Sequence, residues 1–140
     1  MTVEAIHLGA PGVPELWTVE SVSAVAGKGL EGDRHFSEEG ARPGEALTLV
    51  DAANVEDAGL QPGATRRQLT VRGVDLNALV GRRFRVGEVE CVGVELCEPC
   101  SHLEEMTRPG IIKDLLHRAG INADIVVGGT IRVGDPVVPL

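Results

Sequence analysis

The chain has 140 residues, a length typical of one domain, and 43% of them are hydrophobic, which excludes a disordered tail. Its formal net charge of −8 argues against a general binder of nucleic acid or of anionic membranes. With one Trp, two Phe and no Tyr, it has almost no aromatic surface on which bases could stack. We therefore expect one domain over residues 1–140, with no nucleic-acid partner and no membrane partner.

The first residues and the cysteine count bear on location. No apolar run has the length of a membrane helix, and Glu4 and His7 interrupt the opening segment, which argues against a signal peptide. Three cysteines is an odd number, and without an export signal we expect them to be reduced thiols. The prediction is a cytoplasmic protein.

Short apolar segments separated by Gly or Pro predict a mostly β fold, either a barrel or a sandwich, rather than a helix bundle. In the first half of the chain, strands are predicted at residues 3–8, 19–25, 46–50 and 68–71. Asp51 is a predicted N-cap for a short helix that ends near Gly59. Residues 75–80 predict one or two helical turns.

The second half of the chain predicts five more strands and two more helices. Gly87-Glu88 predicts a tight hairpin between strands at 84–86 and 89–96. Helices are predicted at 101–107 and 111–118, and three strands follow at 123–127, 130–133 and 136–138. Gly128-Gly129 and Gly134-Asp135 separate these last strands, which predicts two terminal hairpins and a closed or nearly closed sheet.

A glycine-rich turn at residues 29–35, with the sequence GLEGDRH, places Arg34 and His35 side by side. Backbone N–H groups and a guanidinium at such a turn can bind an anion. The alternative is an ordinary loop in which Asp33 and Arg34 are paired or solvated.

A second basic segment, Arg66-Arg67-Gln68, comes just before a predicted strand. Adjacent side chains at a strand start point to opposite faces, so we expect only one of the two arginines to face a given site. The alternative is a solvated surface pair.

The segment CEPCSH, residues 97–102, lies where a long strand ends and a helix is predicted to begin. A helix N-terminus stabilises a thiolate, so Cys100 is a candidate nucleophile or soft metal ligand. Three alternatives remain open: a thioredoxin-type dithiol, which lacks the expected βαβ pattern; buried structural thiols; and a zinc site. The zinc ligands would be Cys91, Cys97, Cys100 and His102.

His117-Arg118-Ala119-Gly120 ends a predicted helix. Basic side chains suit the negative end of a helix dipole and Gly120 suits the residue that follows it, so capping alone explains this segment.

Six segments, taken in order, resemble the MOSC domain family, named for the C-terminal domain of molybdenum-cofactor sulfurases, and the length resembles its small standalone bacterial members. The segments are residues 29–35, 45–50 (EALTLV), 66–87 (RRQLTVRGVDLNALVGRRFRVG), 97–103 (CEPCSHL), 117–126 (HRAGINADIV) and 128–135 (GGTIRVGD). The resemblance implies a distorted β-barrel with a few short helices, and a molybdenum cofactor, which is a pterin with a dithiolene and a phosphate.

The resemblance also implies roles for particular residues. The family's hallmark cysteine ligates molybdenum in related amidoxime-reducing proteins and is proposed to carry a persulfide in sulfurases. It corresponds to Cys100 in this sequence. The implied contacts to the pterin or phosphate are Arg34, His35, Arg67, Gln68, His117 and Arg118. Gln68 stands where the family often has Asn, and Ala119 where it often has Gly. Pyridoxal phosphate is not expected, because the sulfurase domain that binds it is not matched.

The leading hypothesis is a molybdenum-cofactor-binding domain that acts in sulfur transfer or in the reduction of N-hydroxylated compounds. No flavin or iron–sulfur motif is present, so a reductase or a cysteine desulfurase is the expected partner. A non-catalytic sulfur carrier and a zinc- or ligand-binding β-barrel are the alternative functions.

Overall fold

Strands dominate the computed structural model, which describes residues 1–140, and the predicted mostly β fold with a few short helices is confirmed. The strands are Thr2–Gly9 (β1), Leu16–Val19 (β2), Ser21–Val25 (β3), Gly29–Leu30 (β4), Leu47–Asp51 (β5), Leu69–Arg72 (β6), Arg83–Val86 (β7), Val89–Leu96 (β8), Ile121–Val127 (β9), Gly129–Arg132 (β10) and Val137–Pro139 (β11). The helices are Ala52–Asp57 (α1), Ser101–Met106 (α2) and Ile111–Asp114 (α3), with a 3-10 helix at Leu76–Leu79. None of them has the length and hydropathy needed to cross a bilayer.

The main sheet has eight strands in the order β11-β7-β8-β9-β5-β6-β1-β2, and β10-β3-β4 form a second, smaller sheet. All pairs are antiparallel except β5 with β6. The start of β1 approaches the segment before β11, at the opposite edge of the main sheet, through an isolated bridge between Thr2 and Pro136, where Val3 N donates to Asp135 O at 2.9 Å. No continuous ladder closes this seam, so the sheet is barrel-like rather than a closed barrel.

Alternation along the strands builds the core inside this sheet. In β7 the apolar Phe84 and Val86 are fully buried while the two arginines between and before them are exposed. Burial of each such apolar side chain contributes about 1.5–3 kcal/mol. Cys91 on β8 belongs to this core. A second, five-residue apolar cluster packs α2 and α3 against the end of α1 and so holds the chain that follows Cys100.

Local predictions in the middle of the chain are confirmed. The β7–β8 hairpin forms across Gly87, whose φ of 57° suits a residue without a side chain. Asp51 caps α1 by accepting a hydrogen bond from Ala53 N at 3.0 Å.

The predicted strand at 19–25 is instead two strands, because β2 pairs with β1 whereas β3 pairs with β4 and β10.

Two predictions near the C-terminus are wrong. The helix predicted at 111–118 ends at Asp114, because Leu115, with φ of −104° and ψ of 8°, already departs from helical geometry. His117, with a left-handed φ of 61°, could not belong to an α-helix either. The terminal hairpins do not form: β9 pairs with β5 and β8, β10 with β3, and β11 with β7. Gly128 lets the chain cross to β3, since a Cβ there would lie 2.7 Å from Ala24 O.

Candidate functional site

A buried carboxylate organises the loop that carries Arg34 and His35. Asp33 is 6% exposed and accepts hydrogen bonds from Gly9 N at 2.9 Å, His35 N at 3.2 Å and Gln68 Nε2 at 2.7 Å. These bonds join the end of β1, the loop itself and the start of β6. The loop is therefore held in place by the barrel.

Arg34 projects from this loop past Gly9, where an added Cβ would clash with Arg34 Nη1. Its side chain is 14% exposed and lies 3.6 Å from the Asp33 carboxylate. Burial lowers the pKa of Arg34, Asp33 opposes that shift and Arg66 adds to it. Arg34 nonetheless stays charged in the physiological pH range.

Arg66 and Arg67 both line the same cavity, so the prediction that only one could face a site is wrong. The two residues precede β6 instead of belonging to it, and Arg66 has a left-handed φ of 63°. Arg66 Nη1 donates to Pro14 O at 2.5 Å. The period-two rule for strands therefore does not apply here.

Arg67 ties the cysteine segment to the barrel. It donates to Ala119 O at 2.9 Å, to Thr65 O at 3.2 Å and to Cys97 O at 3.2 Å. These bonds leave one N–H on each terminal nitrogen for a ligand. Cys97 N also donates to Gly120 O at 2.8 Å, which fixes the segment at a second point.

The three cysteines have distinct environments. Cys91 is buried in the core, and burial raises its pKa to about 12. Cys97 is half-buried, and burial raises its pKa although Arg67 opposes the shift. Cys100 is the exposed N-cap residue of α2, and its side chain makes no capping hydrogen bond. The structural-thiol alternative thus describes Cys91 and not Cys100.

These segments converge on one cavity of about 410 Å³. Its lining residues are Arg34, His35, Thr48, Thr65, Arg66, Arg67, Cys97, Cys100, His102 and Leu103. Arg34–Asp33 is the one ion pair in the wall. The other two arginines have no carboxylate within 4.0 Å, so the cavity is cationic on a protein of net charge −8. Partial burial and the charge of Arg34 lower the pKa of His35, which favours its neutral form at pH 7.

The MOSC domain family model matches residues 32–138, more than half of the chain. The chain belongs to the MOSC domain family. The YUAD protein from Bacillus subtilis superposes on this MOSC domain with a TM-score of 0.79 at 17% identity, over 98% of this chain and 94% of that one. YiiM from Geobacillus stearothermophilus superposes with a TM-score of 0.74 at 18% sequence identity, over 99% of this chain and 74% of that one. YiiM from Escherichia coli superposes with a TM-score of 0.69 at 16% sequence identity, over 100% of this chain and 70% of that one. At these identities the likeness shows the fold alone. No curated protein matches the sequence.

Gln68 supports the cavity of this MOSC domain from behind. Its side chain is buried, with Nε2 on Asp33 and with Oε1 accepting from Thr48 N at 2.9 Å. Gln68 therefore positions Asp33 and Thr48 and does not itself line the cavity.

His117 and Arg118 lie in a separate cleft of about 230 Å³ and are not brought to Cys100. His117 Nδ1 is 2.6 Å from Glu98 Oε2, and His117 N donates to Glu98 Oε1 at 2.7 Å. Arg118 Nη2 donates to Asp114 O, the last carbonyl of α3, at 2.8 Å, as the capping interpretation predicts. Their predicted contact with a pterin or phosphate stays a prediction.

Sequence reasoning missed three kinds of residue at this site. The alternation of side chains along a strand predicted that only one of Arg66 and Arg67 faces the site, but Arg66 has a left-handed backbone and is not in a strand. Thr48 and Thr65 carry no local signal, because only the pairing of β5 with β6 brings them to the cavity. His102 was considered only as a zinc ligand, although its place two residues after Cys100 at the start of α2 could have identified it.

The side chains present fit one cofactor better than a zinc ion. No group of three His, Cys, Asp or Glu side chains is arranged to hold a metal, and Cys91 lies in the core away from the cavity. A zinc site needs about four protein ligands. A molybdenum cofactor brings its own dithiolene sulfurs, so one exposed thiol with cationic groups for its phosphate is a matching donor set.

Proposed function

We propose that this MOSC domain binds a molybdenum cofactor in the Cys100 cavity and acts in sulfur transfer or in the molybdenum-dependent reduction of N-hydroxylated compounds. One observation carries the proposal: the exposed Cys100 thiol shares a cavity with Arg34, Arg66 and Arg67 on an acidic protein. Clustering three guanidinium groups costs electrostatic free energy, which an anionic ligand offsets.

Different cavity residues would bind different parts of such a cofactor. A thiolate is a soft ligand suited to molybdenum, which is the role proposed for Cys100. Arg34 and the two remaining N–H groups of Arg67 would hold the phosphate. When bound, the cofactor would supply a metal that exchanges oxygen or sulfur together with electrons.

His35 is suited to proton transfer at this site. Because its pKa is lowered, the ring is neutral at pH 7, so one nitrogen donates a hydrogen bond and the other accepts one. We assign it a hydrogen bond from its N–H to the reacting oxygen or sulfur, and the acceptance of a proton on its other ring nitrogen. The reductive activity also requires electrons from a reductase partner, and a cytoplasmic location, which keeps Cys100 reduced, belongs to the same proposal.

Metal analysis tests the proposal. Protein purified from a molybdenum-replete host should contain stoichiometric molybdenum, and Cys100→Ala should lose it. Cys97→Ala is the matched control, because Cys97 lines the same cavity but is half-buried, and it should retain the metal. Absence of molybdenum from the wild type contradicts the proposal, and an equal content in Cys100→Ala removes Cys100 as the ligand.

A second candidate function, a sulfur carrier, is favoured by the exposure of Cys100, which lets another protein's persulfide reach it. The Cys100 thiolate would attack the outer sulfur of a desulfurase persulfide, the S–S bond would break, and the desulfurase cysteine would leave as a thiolate. Intact mass after incubation with a cysteine desulfurase should then show one added sulfur atom in the wild type and in Cys97→Ala, and none in Cys100→Ala. An unmodified wild type rejects this function.

A further inference from the structure

A second concave surface adjoins the Cys100 cavity, on the other side of Arg66. This groove has a volume of about 690 Å³, and its wall includes His7, Pro14, Leu16, Trp17, Arg66 and Met106. A smaller cleft lined by Arg34, Arg66, His102 and Met106 connects the two. The cavity, the cleft and the groove are therefore adjacent, and Arg66 lines all three.

The groove exposes apolar side chains that a folded protein normally covers. Trp17 is the only tryptophan of the chain and is 43% exposed, and Met106 is 41% exposed. An indole ring and a thioether both make favourable contacts with aromatic rings. Trp17 lies on β2, the edge strand of the main sheet.

Arg66 supplies the polar end of the groove. Its strained backbone, with φ of 63°, and its bond to Pro14 O hold the guanidinium between the groove and the cavity. No carboxylate lies within 4.0 Å of it. Its charge is thus available to a ligand that lies across both depressions.

A buried histidine at the floor of the groove also lacks a partner. His7 is 7% exposed, and its Nδ1 is buried without a hydrogen bond. The ring packs directly against Gly63, since a Cβ there would lie 2.6 Å from His7 Nε2. A buried ring without a hydrogen-bond partner is costly in a wall that serves only packing.

We propose that the groove binds the aromatic ring of a small oxyanion, with the ring against Trp17 and Met106 and the oxyanion on Arg66. Because Arg66 also lines the Cys100 cavity, the charged end of such a molecule lies next to that cavity, and we assign aromatic oxyanions as the substrate class of the proposed function. Its role as a substrate site rests on that function, whereas binding in the groove does not require the cofactor.

The fluorescence of the only tryptophan reports binding directly. Titration of the wild type with benzoate should change Trp17 emission in a saturable way. Cyclohexanecarboxylate, which has the charge but no aromatic face, should bind about threefold to tenfold more weakly. Benzyl alcohol, which has the ring but no charge, should bind at least about tenfold more weakly. No saturable change with benzoate, or equal binding of all three probes, overturns the inference.

Variants place the site and separate it from the molybdenum proposal. Arg66→Gln should weaken benzoate at least about tenfold and leave benzyl alcohol unchanged, whereas Arg82→Gln, an exposed arginine outside the groove, should change neither. Unliganded emission and thermal unfolding confirm that each variant is folded. Cys100→Ala should bind benzoate as the wild type does. If the protein binds benzoate but takes up no molybdenum, only the proposed function is contradicted. If it takes up molybdenum but does not bind benzoate, only the aromatic site in the groove is contradicted.

Discussion

Replacing Asp33 with asparagine tests whether one buried carboxylate holds the cavity loop. The substitution preserves size but turns one acceptor oxygen into an NH₂ group. Three donors meet at the carboxylate: Gly9 N on one oxygen, and His35 N and Gln68 Nε2 on the other. In the best orientation, the asparagine amide oxygen accepts from His35 N and Gln68 Nε2, and Gly9 N then faces the asparagine NH₂ group, which is also a donor.

The magnitude follows from these bonds. One buried donor without a partner costs about 1–3 kcal/mol, and loss of charge weakens the other two bonds by about 1 kcal/mol each. We expect Asp33→Asn to lower the free energy of unfolding by about 3–5 kcal/mol, a large part of the roughly 5–15 kcal/mol typical of a domain. At about 2–4 °C per kcal/mol, Tm should fall by roughly 6–20 °C.

Urea unfolding followed by Trp17 fluorescence and by circular dichroism measures the change. Asp51→Asn is the control, because asparagine caps a helix as well as aspartate does and should cost less than about 0.5 kcal/mol. If Asp33→Asn lies within about 0.5 kcal/mol of the wild type, the carboxylate does not organise the loop.

Three further outcomes are expected. In the folded protein at pH 7, iodoacetamide should alkylate the exposed Cys100 well before Cys91, whose pKa burial raises to about 12; equal rates in peptide mass spectrometry contradict this. Burial lowers the pKa of His7, so the unfolded chain binds more protons and stability should fall as pH drops below the unfolded value of about 6.5. His7→Leu should reduce that slope in urea midpoints measured from pH 7 to 5, and an unchanged slope counts against the assignment. Gly9→Ala should displace Arg34, cost about 1–3 kcal/mol and lower molybdenum content; wild-type content in a folded variant would show that Arg34 is dispensable.

Local pattern was sufficient for much of the fold and for part of the site. Alternation within β7 and β8 and the glycine between them predicted a hairpin whose strands are adjacent in sequence. The Asp51 cap joins groups two residues apart. Cys100 was found because its place at a strand-to-helix junction is readable from its neighbours, and it lies at the cavity.

The choice of partners across the chain was not readable in this way. The glycines at 128 and 129 look like a turn, but β10 joins β3, more than a hundred residues earlier in the chain. The family resemblance implies that Gln68 contacts a cofactor, and that stays a prediction; only the folded chain shows that its side chain is buried with Nε2 on Asp33. His117 is close in sequence to the Arg67-bound Ala119 but lies in a different cleft, and its left-handed backbone has no signature in the sequence.

The sequence by itself determined which segments are extended, which thiol lies at a helix start, and to which family the chain belongs, because each depends on residue types at short spacing or in fixed order. Only the tertiary structure decided that Arg34, Arg66 and Arg67 share one cavity with that thiol and that a groove with Trp17 adjoins it. Long-range strand pairing sets the distances between these residues, and the free energy that favours this pairing comes from contacts throughout the core. A short segment of the sequence therefore cannot reveal which strands pair.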